Sequence, residues 1–520
     1  MNPCYFNNKV LMNKELTLNL TFFFSVFAFI VGHGIYLNTP WVNLEYAFGE
    51  AARGILNPYY TTGFEKYWEV EANPLGYSLI TASIASFLGI SFWSIRIPSL
   101  LGGIAILVAG WLFYRSKDFK NNALFFLWTA IISINPLVWI YSGRATADVL
   151  PVGLVVLAFL FCYYAEERLW IHLIAGLCFS LASLVKLHSI LLGVGFVYIL
   201  FTDQEGKINW SRRRGLKFLF YSLLPAVILG IYFLVIYSQF GIVFIPEQHK
   251  EALVEGYAKN FVSAFLMYNS LLGTMFATFC FLSITHLQKI WSKRNILILM
   301  IIILIAGSVF WRTLSSFPAG EMGFSNLYDT LLNQKVISLI RIGGFILAFF
   351  LFIELINTAF REESKTALFF LCSILPFLVI LSFFKPCQRY LLFCLPFLSF
   401  YLVVILGSRM PRLTHWMGWP SIAVFIAINV FSIFHQIGQG RASENMAQWV
   451  ISNGYLNNTE PGAILPHAGH HFLQNQEGQK KYIINIGKTP PGNFLHEESV
   501  FVFGKKIKTY YLIENEQDSR

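Results

Sequence analysis

Apolar residues follow one another along this chain in long blocks, with neither the two-residue alternation of a half-buried strand nor the polar face of a surface helix. Thirteen blocks stand out, at about residues 16–36, 96–114, 122–140, 149–165, 170–185, 188–201, 217–239, 261–285, 295–312, 336–358, 367–384, 390–407 and 417–437. A bilayer core of about 30 Å needs about 20 helical residues at 1.5 Å each. The pattern therefore predicts an all-α polytopic membrane protein with about 13 transmembrane helices. The first block, Leu16 to Tyr36, follows Lys9 and Lys14 and is followed by Pro40-Trp41 rather than a small-residue cleavage motif. It reads as a retained helix, not a signal peptide.

A further apolar run, Leu75 to Ser91, is rich in Ser, Thr and Gly. If it spanned, Arg115, Lys117 and Lys120 would fall outside and the sign bias of later loops would reverse. If it lies along the interface as a juxtamembrane helix, eighteen basic residues gather on one side, from Lys9 and Lys14 to Arg409 and Arg412. The positive-inside rule prefers the second solution. The N-terminus is then cytoplasmic, residues 37–95 form a large outer loop, and the tail is outside. Residues 168–201 are too long for one upright span, about 50 Å as a single helix, and carry Lys186 near the middle. Two short helices meeting at the outer face would spare that lysine a midplane position. The expected division is a transmembrane domain over 1–437 and a small α/β appendage over 438–520, with strands near Tyr482–Ile486 and Val500–Phe503.

Composition agrees with the pattern. Of the 520 residues 56% are hydrophobic and only 13% charged, with 52 phenylalanines. The mean hydropathy is +0.58. Too few charges are present to cover that much apolar surface in water, which excludes a soluble enzyme, a disordered chain and a collagen-like fibre. The net charge of +10 reads as topological anchoring by Lys and Arg, and no nucleic-acid motif accompanies it. The seven cysteines are scattered, with neither a disulfide framework nor zinc-ligand spacing. The tail motif around His467, His470 and His471 has no acidic neighbour in sequence and reads as an exposed turn, so no metal site is assigned.

With this topology, ionisable residues collect at the outer mouth. They include Glu45, Glu50, Arg53 and Glu71 in the first loop, Arg96 at the start of the second span, and Asp148 closing the turn that begins at Ser142. Lys186 sits in the broken helix, and Lys385 and Arg389 flank the turn before the twelfth span. Charges at membrane depth are costly and usually functional. A carboxylate could activate a hydroxyl, and cations could hold a phosphate and stabilise it as a leaving group. Each feature also has a plainer reading: a cation that snorkels to headgroups, a solvated acidic face for Glu50, Glu65 and Glu69, a helix cap for Asp148.

At these turns the chain resembles the GT-C glycosyltransferases, in particular the family of protein O-mannosyltransferases and bacterial lipid A aminoarabinose transferases. In the first loop, Leu44-Glu45, Phe48 and Ala52-Arg53 resemble the family's Asp-Glu, aromatic and Ala-Arg pattern, with Leu44 where the family has Asp. The elements Glu71-Ala72-Asn73-Pro74-Leu75 and Arg96-Ile97-Pro98-Ser99 follow in order, the former with Ala72 in place of a frequent Lys. Asp148 stands in the second acidic loop, and Leu184-Val185-Lys186 resembles a Leu-Thr-Lys. Lys385-Pro386-Cys387-Gln388-Arg389-Tyr390-Leu391-Leu392 resembles a Lys…Arg/His-Tyr-Leu-Leu run.

The resemblance implies transfer of a sugar from a polyprenyl-phosphate donor to a hydroxyl on a glycolipid, polysaccharide or protein acceptor, at the periplasmic or lumenal face. It implies Glu45 and Asp148 as catalytic residues and Arg96, Lys186, Lys385 and Arg389 as donor-phosphate ligands. Glu71 and Tyr390 would be further substrate contacts. A divalent metal is not required, although oligosaccharyltransferases of the same broad fold use one. The expected setting is a monomer in a bacterial inner membrane. A lipid or solute transporter, or a non-catalytic member that binds a lipid-linked glycan, stays open as an alternative reading of the same residues.

Overall fold

A computed structural model of the chain describes residues 3–514 except 35–36, 42–44, 58, 61–63, 65–66, 69–70, 72, 117–120, 166–167, 203–206, 208, 244–256, 293, 296, 299–300, 302–304, 306–333, 363, 385–386, 465–467, 473–479 and 488–493. The protein is a helical membrane protein. In chain order the described helices are α1 (Pro3–Gly34), α2 (Glu45–Leu56), α3 (Gly76–Leu88), α4 (Ile97–Ser116), α5 (Asn122–Ile134), α6 (Pro136–Ser142), α7 (Val149–Tyr164) and α8 (Leu169–Val185). They continue with α9 (Gly193–Phe201), α10 (Arg212–Phe240), α11 (Tyr257–Met275), α12 (Ala277–Ile290), α13 (Gln334–Arg361), α14 (Lys365–Leu381), α15 (Leu395–Phe400) and α16 (Pro411–Ser452).

Five helical stretches are long and apolar enough to cross a bilayer: Glu15–Gly34, Ser94–Arg115, Arg212–Phe240, Lys335–Arg361 and Pro411–Ser452. Two bent pairs, α5 with α6 and α11 with α12, raise the number to seven among the described residues. The predicted count of thirteen differs because five of the predicted blocks are apolar helices of only 10–17 residues. The block at 295–312 lies largely outside the described residues. The first bend, 56°, has a local cause. Pro136 cannot donate to the preceding turn, and the Asn135 side chain accepts from Leu137 N at 3.1 Å and caps the new helix.

Residues 75–91, expected to lie along the interface, form α3 over Gly76–Leu88. Its 13 residues reach only about 20 Å, short of a bilayer core. The apolar stretch 168–201 breaks at Lys186, whose extended backbone (φ −151°, ψ 115°) ends α8, before a tight turn over Leu187–Leu192 leads into α9.

The expected domain boundary at 437 falls inside α16, which runs unbroken for 42 residues, about 63 Å. Its C-terminal part packs Ala442, Met446, Ala447 and Val450 against a four-stranded sheet, so one helix serves bundle and appendage. The sheet comprises β1 (Thr459–Glu460), β2 (Tyr482–Gly487), β3 (His496–Val502) and β4 (Lys505–Glu514), in the order β1-β2-β4-β3. β1 and β2 are parallel; the other pairs are antiparallel. Positive φ at both Phe503 and Gly504 gives the two-residue hairpin turn whose twist matches its strands.

Close backbone approach of α4 and α7 positions the turn at 143–148. A side-chain carbon added to Gly102 would lie 2.5 Å from Leu150 Cα, and one added to Gly153 would lie 2.4 Å from Gly102 O. Small residues at such a crossing let the helices pack through their backbones. Gly153→Val is therefore expected to force α7 away from α4 and to cost about 1–3 kcal/mol or more. The check is thermal unfolding in detergent, where an unchanged melting temperature would contradict this packing.

Candidate functional site

Two charged constellations stand side by side at the end of the bundle where α2, α3, the 143–148 turn and the break at Lys186 meet. The first is a clasp. Glu45 opens α2, where the helix dipole favours an acid. Its carboxylate receives Arg96 Nε at 2.9 Å and Nη2 at 2.6 Å, and Ala145 N at 2.6 Å. Arg96 Nη1 donates to the carbonyls of Leu37 (2.7 Å) and Thr39 (3.0 Å), and Nη2 also donates to that of Pro40 (3.1 Å). A guanidinium has five N–H donors, and these bonds engage all of them. Both side chains are buried, Arg96 at 1% and Glu45 at 0% exposure.

Of the residues singled out in the sequence, Arg96 and Glu45 therefore pair with each other: Arg96 faces inward, with its donors on Glu45 and the loop carbonyls, and the pair anchors the loop at residues 37–40 and the turn at Ala145. Tyr77 and Ser99 extend the connection: Tyr77 Oη lies 2.8 Å from Ile95 O and 2.9 Å from Ser99 Oγ, which in turn donates to Thr146 O at 3.1 Å. At Gly76 an added side-chain carbon would lie 2.4 Å from Leu184 O, so α3 abuts the end of α8 directly.

The second constellation is the candidate reaction centre. Asp148 immediately precedes α7, yet its side chain makes no cap hydrogen bond. It binds Lys186 Nζ, and both side chains are 2% exposed. Arg389 Nε stands 3.7 Å from Asp148 Oδ1, beyond hydrogen-bond length, and has no hydrogen-bond partner among the described residues. Lys186 Nζ also lies 4.6 Å from the centre of the Tyr390 ring, an attractive cation–ring arrangement. His188 stacks on the other partner of that lysine: its ring and that of Tyr390 are 4.4 Å apart and inclined by 29°. Three turns distant in sequence thus deliver an acid, two cations and an aromatic platform.

Burial alone would push the Asp148 carboxyl up; the positive charges of Lys186 and Arg389 outweigh it and hold the group below the ordinary carboxylate range. Glu71 is held by Asn73, whose side-chain nitrogen donates to Oε1 at 2.6 Å, and its charge reaches Tyr390. Lys385, like Leu44, Glu65, Lys66 and Glu69, lies outside the described residues. Glu50 is not on a solvated face: it is fully buried, with Arg53 Nη1 at 2.8 Å and Tyr60 Oη at 2.6 Å, and together with burial it pushes the Tyr60 phenol up to about 12. Sequence reasoning missed His188, although it shares a polar break in an apolar run with Lys186.

No family model matches the chain, and none of the curated proteins matches it. Among solved structures, it is similar to the crystal structure of ArnT from Cupriavidus metallidurans in the apo state, at 14% identity and a TM-score of 0.44, over 90% of this chain and 75% of that one.

The Asp148–Lys186 pair makes a stability prediction. The folded carboxyl titrates below its unfolded value of about 3.9, so its contribution is complete above about pH 4 and is lost as pH falls through the folded value. Asp148→Asn leaves Lys186 buried beside a neutral group and is expected to cost about 3–5 kcal/mol. The deficit should be constant from pH 5 to 8, and Lys186→Met in the same chain should restore much of it. Melting curves of the three proteins in detergent check this; a deficit that grows through neutral pH would contradict the assigned pair.

Proposed function

We propose that this protein is a polytopic membrane glycosyltransferase of the GT-C type, moving a sugar from a polyprenyl-phosphate donor to a hydroxyl acceptor at the outer end of the bundle. The observation that carries the reading is the buried Asp148 between Lys186 and Arg389, with Arg389 Nε lacking a hydrogen-bond partner among the described residues. The order of motifs along the chain supports it, as does the gathering of acids and cations at one end of apolar helices. A lipid-linked phosphate suits such a place: its tail stays with apolar helices while its charge meets the cations at their ends.

Donor binding would place the phosphate against Arg389 and Lys186. The anion competes with Asp148 for both cations, so the carboxylate loses the charges that depress its affinity for a proton while its burial persists. Asp148 thereby becomes a stronger base when the donor is in place. The acceptor oxygen attacks the anomeric carbon and its proton passes to Asp148. The bond from that carbon to the phosphate oxygen breaks with its electron pair on the phosphate, whose added negative charge Lys186 and Arg389 balance. A single displacement inverts configuration. Tyr390 and His188 form the aromatic wall beside the sugar, and Glu71 orients its hydroxyls. The clasp of Arg96 and Glu45 positions the turn that bears Asp148. In this reading the chain makes thirteen passes, its N-terminus is cytoplasmic, and the appendage faces the periplasm of a bacterial inner membrane.

Mass spectrometry of envelope lipids and glycoproteins, from cells producing the wild type or Asp148→Asn, tests the proposal. A sugar mass increment is expected with the wild type and a loss of about 10²–10⁴-fold in transfer rate with the variant. Arg389→Met should raise the KM for donor and lower kcat. Full transfer by Asp148→Asn at normal protein levels would refute the role of that carboxylate. Donor binding without product in the wild type would favour the non-catalytic reading.

A further inference from the structure

Two of the tail histidines, His470 and His471, acquire in three dimensions the acid they lack in sequence, while His467 lies outside the described residues. Glu444 projects from α16, 26 residues before His470, which lies with His471 in the short turn Gly469–Phe472. Glu444 Oε1 is 2.7 Å from His471 Nε2, and Glu444 Oε2 is 3.8 Å from His470 Nε2. One ligand atom from each residue lies within 4.8 Å of the other two. None of the three is on an exposed turn: all are partly buried, and Glu444 Oε2 and His470 Nδ1 are fully enclosed with no hydrogen-bond partner among the described residues. The side-chain nitrogen of Gln448 donates to Glu444 Oε1 at 3.1 Å, an outer contact of the kind that orients a ligating carboxylate.

We propose that Glu444, His470 and His471 form a site for a divalent transition metal of the zinc class, which braces the appendage against the first outer loop. A tetrahedral ion with ligand bonds of about 2.0–2.1 Å sets its donors about 3.3 Å apart. The two carboxylate–imidazole separations, 2.7 Å to Oε1 and 3.8 Å to Oε2, run to different oxygens, and one ligand atom from each residue lies within 4.8 Å of the others, so side-chain shifts of about 1–1.5 Å bring one oxygen and both imidazoles to that spacing. Two imidazoles and one carboxylate select zinc, cobalt or nickel over magnesium or calcium, which prefer oxygen ligands. The enclosed Oε2, without a hydrogen-bond partner among the described residues, gains a partner when the ion binds.

The place suggests the role. The His470 ring meets the edge of the Trp41 indole at 5.0 Å. Trp41 directly follows Pro40, whose carbonyl receives Arg96, and its indole packs against Gly49 of α2. An ion at Glu444 thus ties together α16, the tail turn and the loop whose carbonyls seat Arg96. Three protein ligands leave a fourth position for water.

Full-length protein, freed of its purification tag and dialysed against chelator, is titrated with zinc chloride by calorimetry and with cobalt(II) chloride by visible absorption. The expected result is one equivalent bound, cobalt bands of a four- or five-coordinate nitrogen–oxygen site, and at least 100-fold weaker binding in Glu444→Gln and His471→Ala. His496→Ala, a tail histidine paired with Glu498 at 3.1 Å, should bind as the wild type does. No bound equivalent in the wild type, or equal affinity in His471→Ala and His496→Ala, would overturn the site and leave only a carboxylate–imidazole hydrogen bond. If the ligand variants fail to fold, the wild-type cobalt spectrum decides: low-coordinate bands support the site, and the spectrum of the hydrated ion refutes it. Sugar transfer does not enter the measurement, so the two proposals stand or fall separately.

Discussion

A guanidinium and a carboxylate buried together hold the outer end of this protein in one arrangement. Arg96 and Glu45 lie 51 positions apart, and neither could leave water alone without a large penalty. Paired, and with every remaining Arg96 donor on a loop carbonyl, they join the entry to the first loop, α2, the start of the second pass and the turn before α7. Ala145, bonded to Glu45, is three residues from Asp148. The carboxylate at the candidate centre thus rests on a turn that cannot shift without opening the clasp.

Two acid–base pairs of similar composition consequently do different work. In the clasp the cation is saturated and its carboxylate is fully enclosed. At Asp148 the cations are shared more loosely, with Arg389 too far for a hydrogen bond and Lys186 divided between a carboxylate and an aromatic ring. Chemistry needs groups whose bonding capacity is not exhausted in the resting state. That difference in residual capacity distinguishes the two pairs and is the ground on which Asp148 is proposed as the reactive carboxylate.

Much of this was legible in advance. Long apolar blocks determine helices in a membrane because the backbone there must satisfy itself. A lysine in the middle of such a block is expensive enough to demand a break, and α8 ends at Lys186 as that cost requires. The strand foreseen at 482–486 lies in the observed sheet, and that at 500–503 overlaps it as far as Val502, Phe503 standing in the hairpin turn; this sheet backs onto a helix that sequence assigned to a separate domain. The helix that continues through residue 437 has a simple origin: hydropathy falls where α16 leaves the apolar region, but a helix does not end because its surroundings change.

Glu45 shows where sequence reasoning stopped. An acid beside an aromatic at the mouth of a membrane protein reads equally well as a base or as a partner, and the choice depends on which distant cation reaches it. The sequence by itself determined the solvent of each segment, the breaks in the helices and the end of the molecule at which charge gathers, because burial costs and hydrophobic periodicity are local properties. Only the tertiary structure decided that Arg96 closes on Glu45, that Lys186 and Arg389 meet at Asp148, and that Glu444 stands beside His470 and His471. Each of those pairings depends on ångström distances between segments 26 to 241 positions apart, which no local pattern encodes.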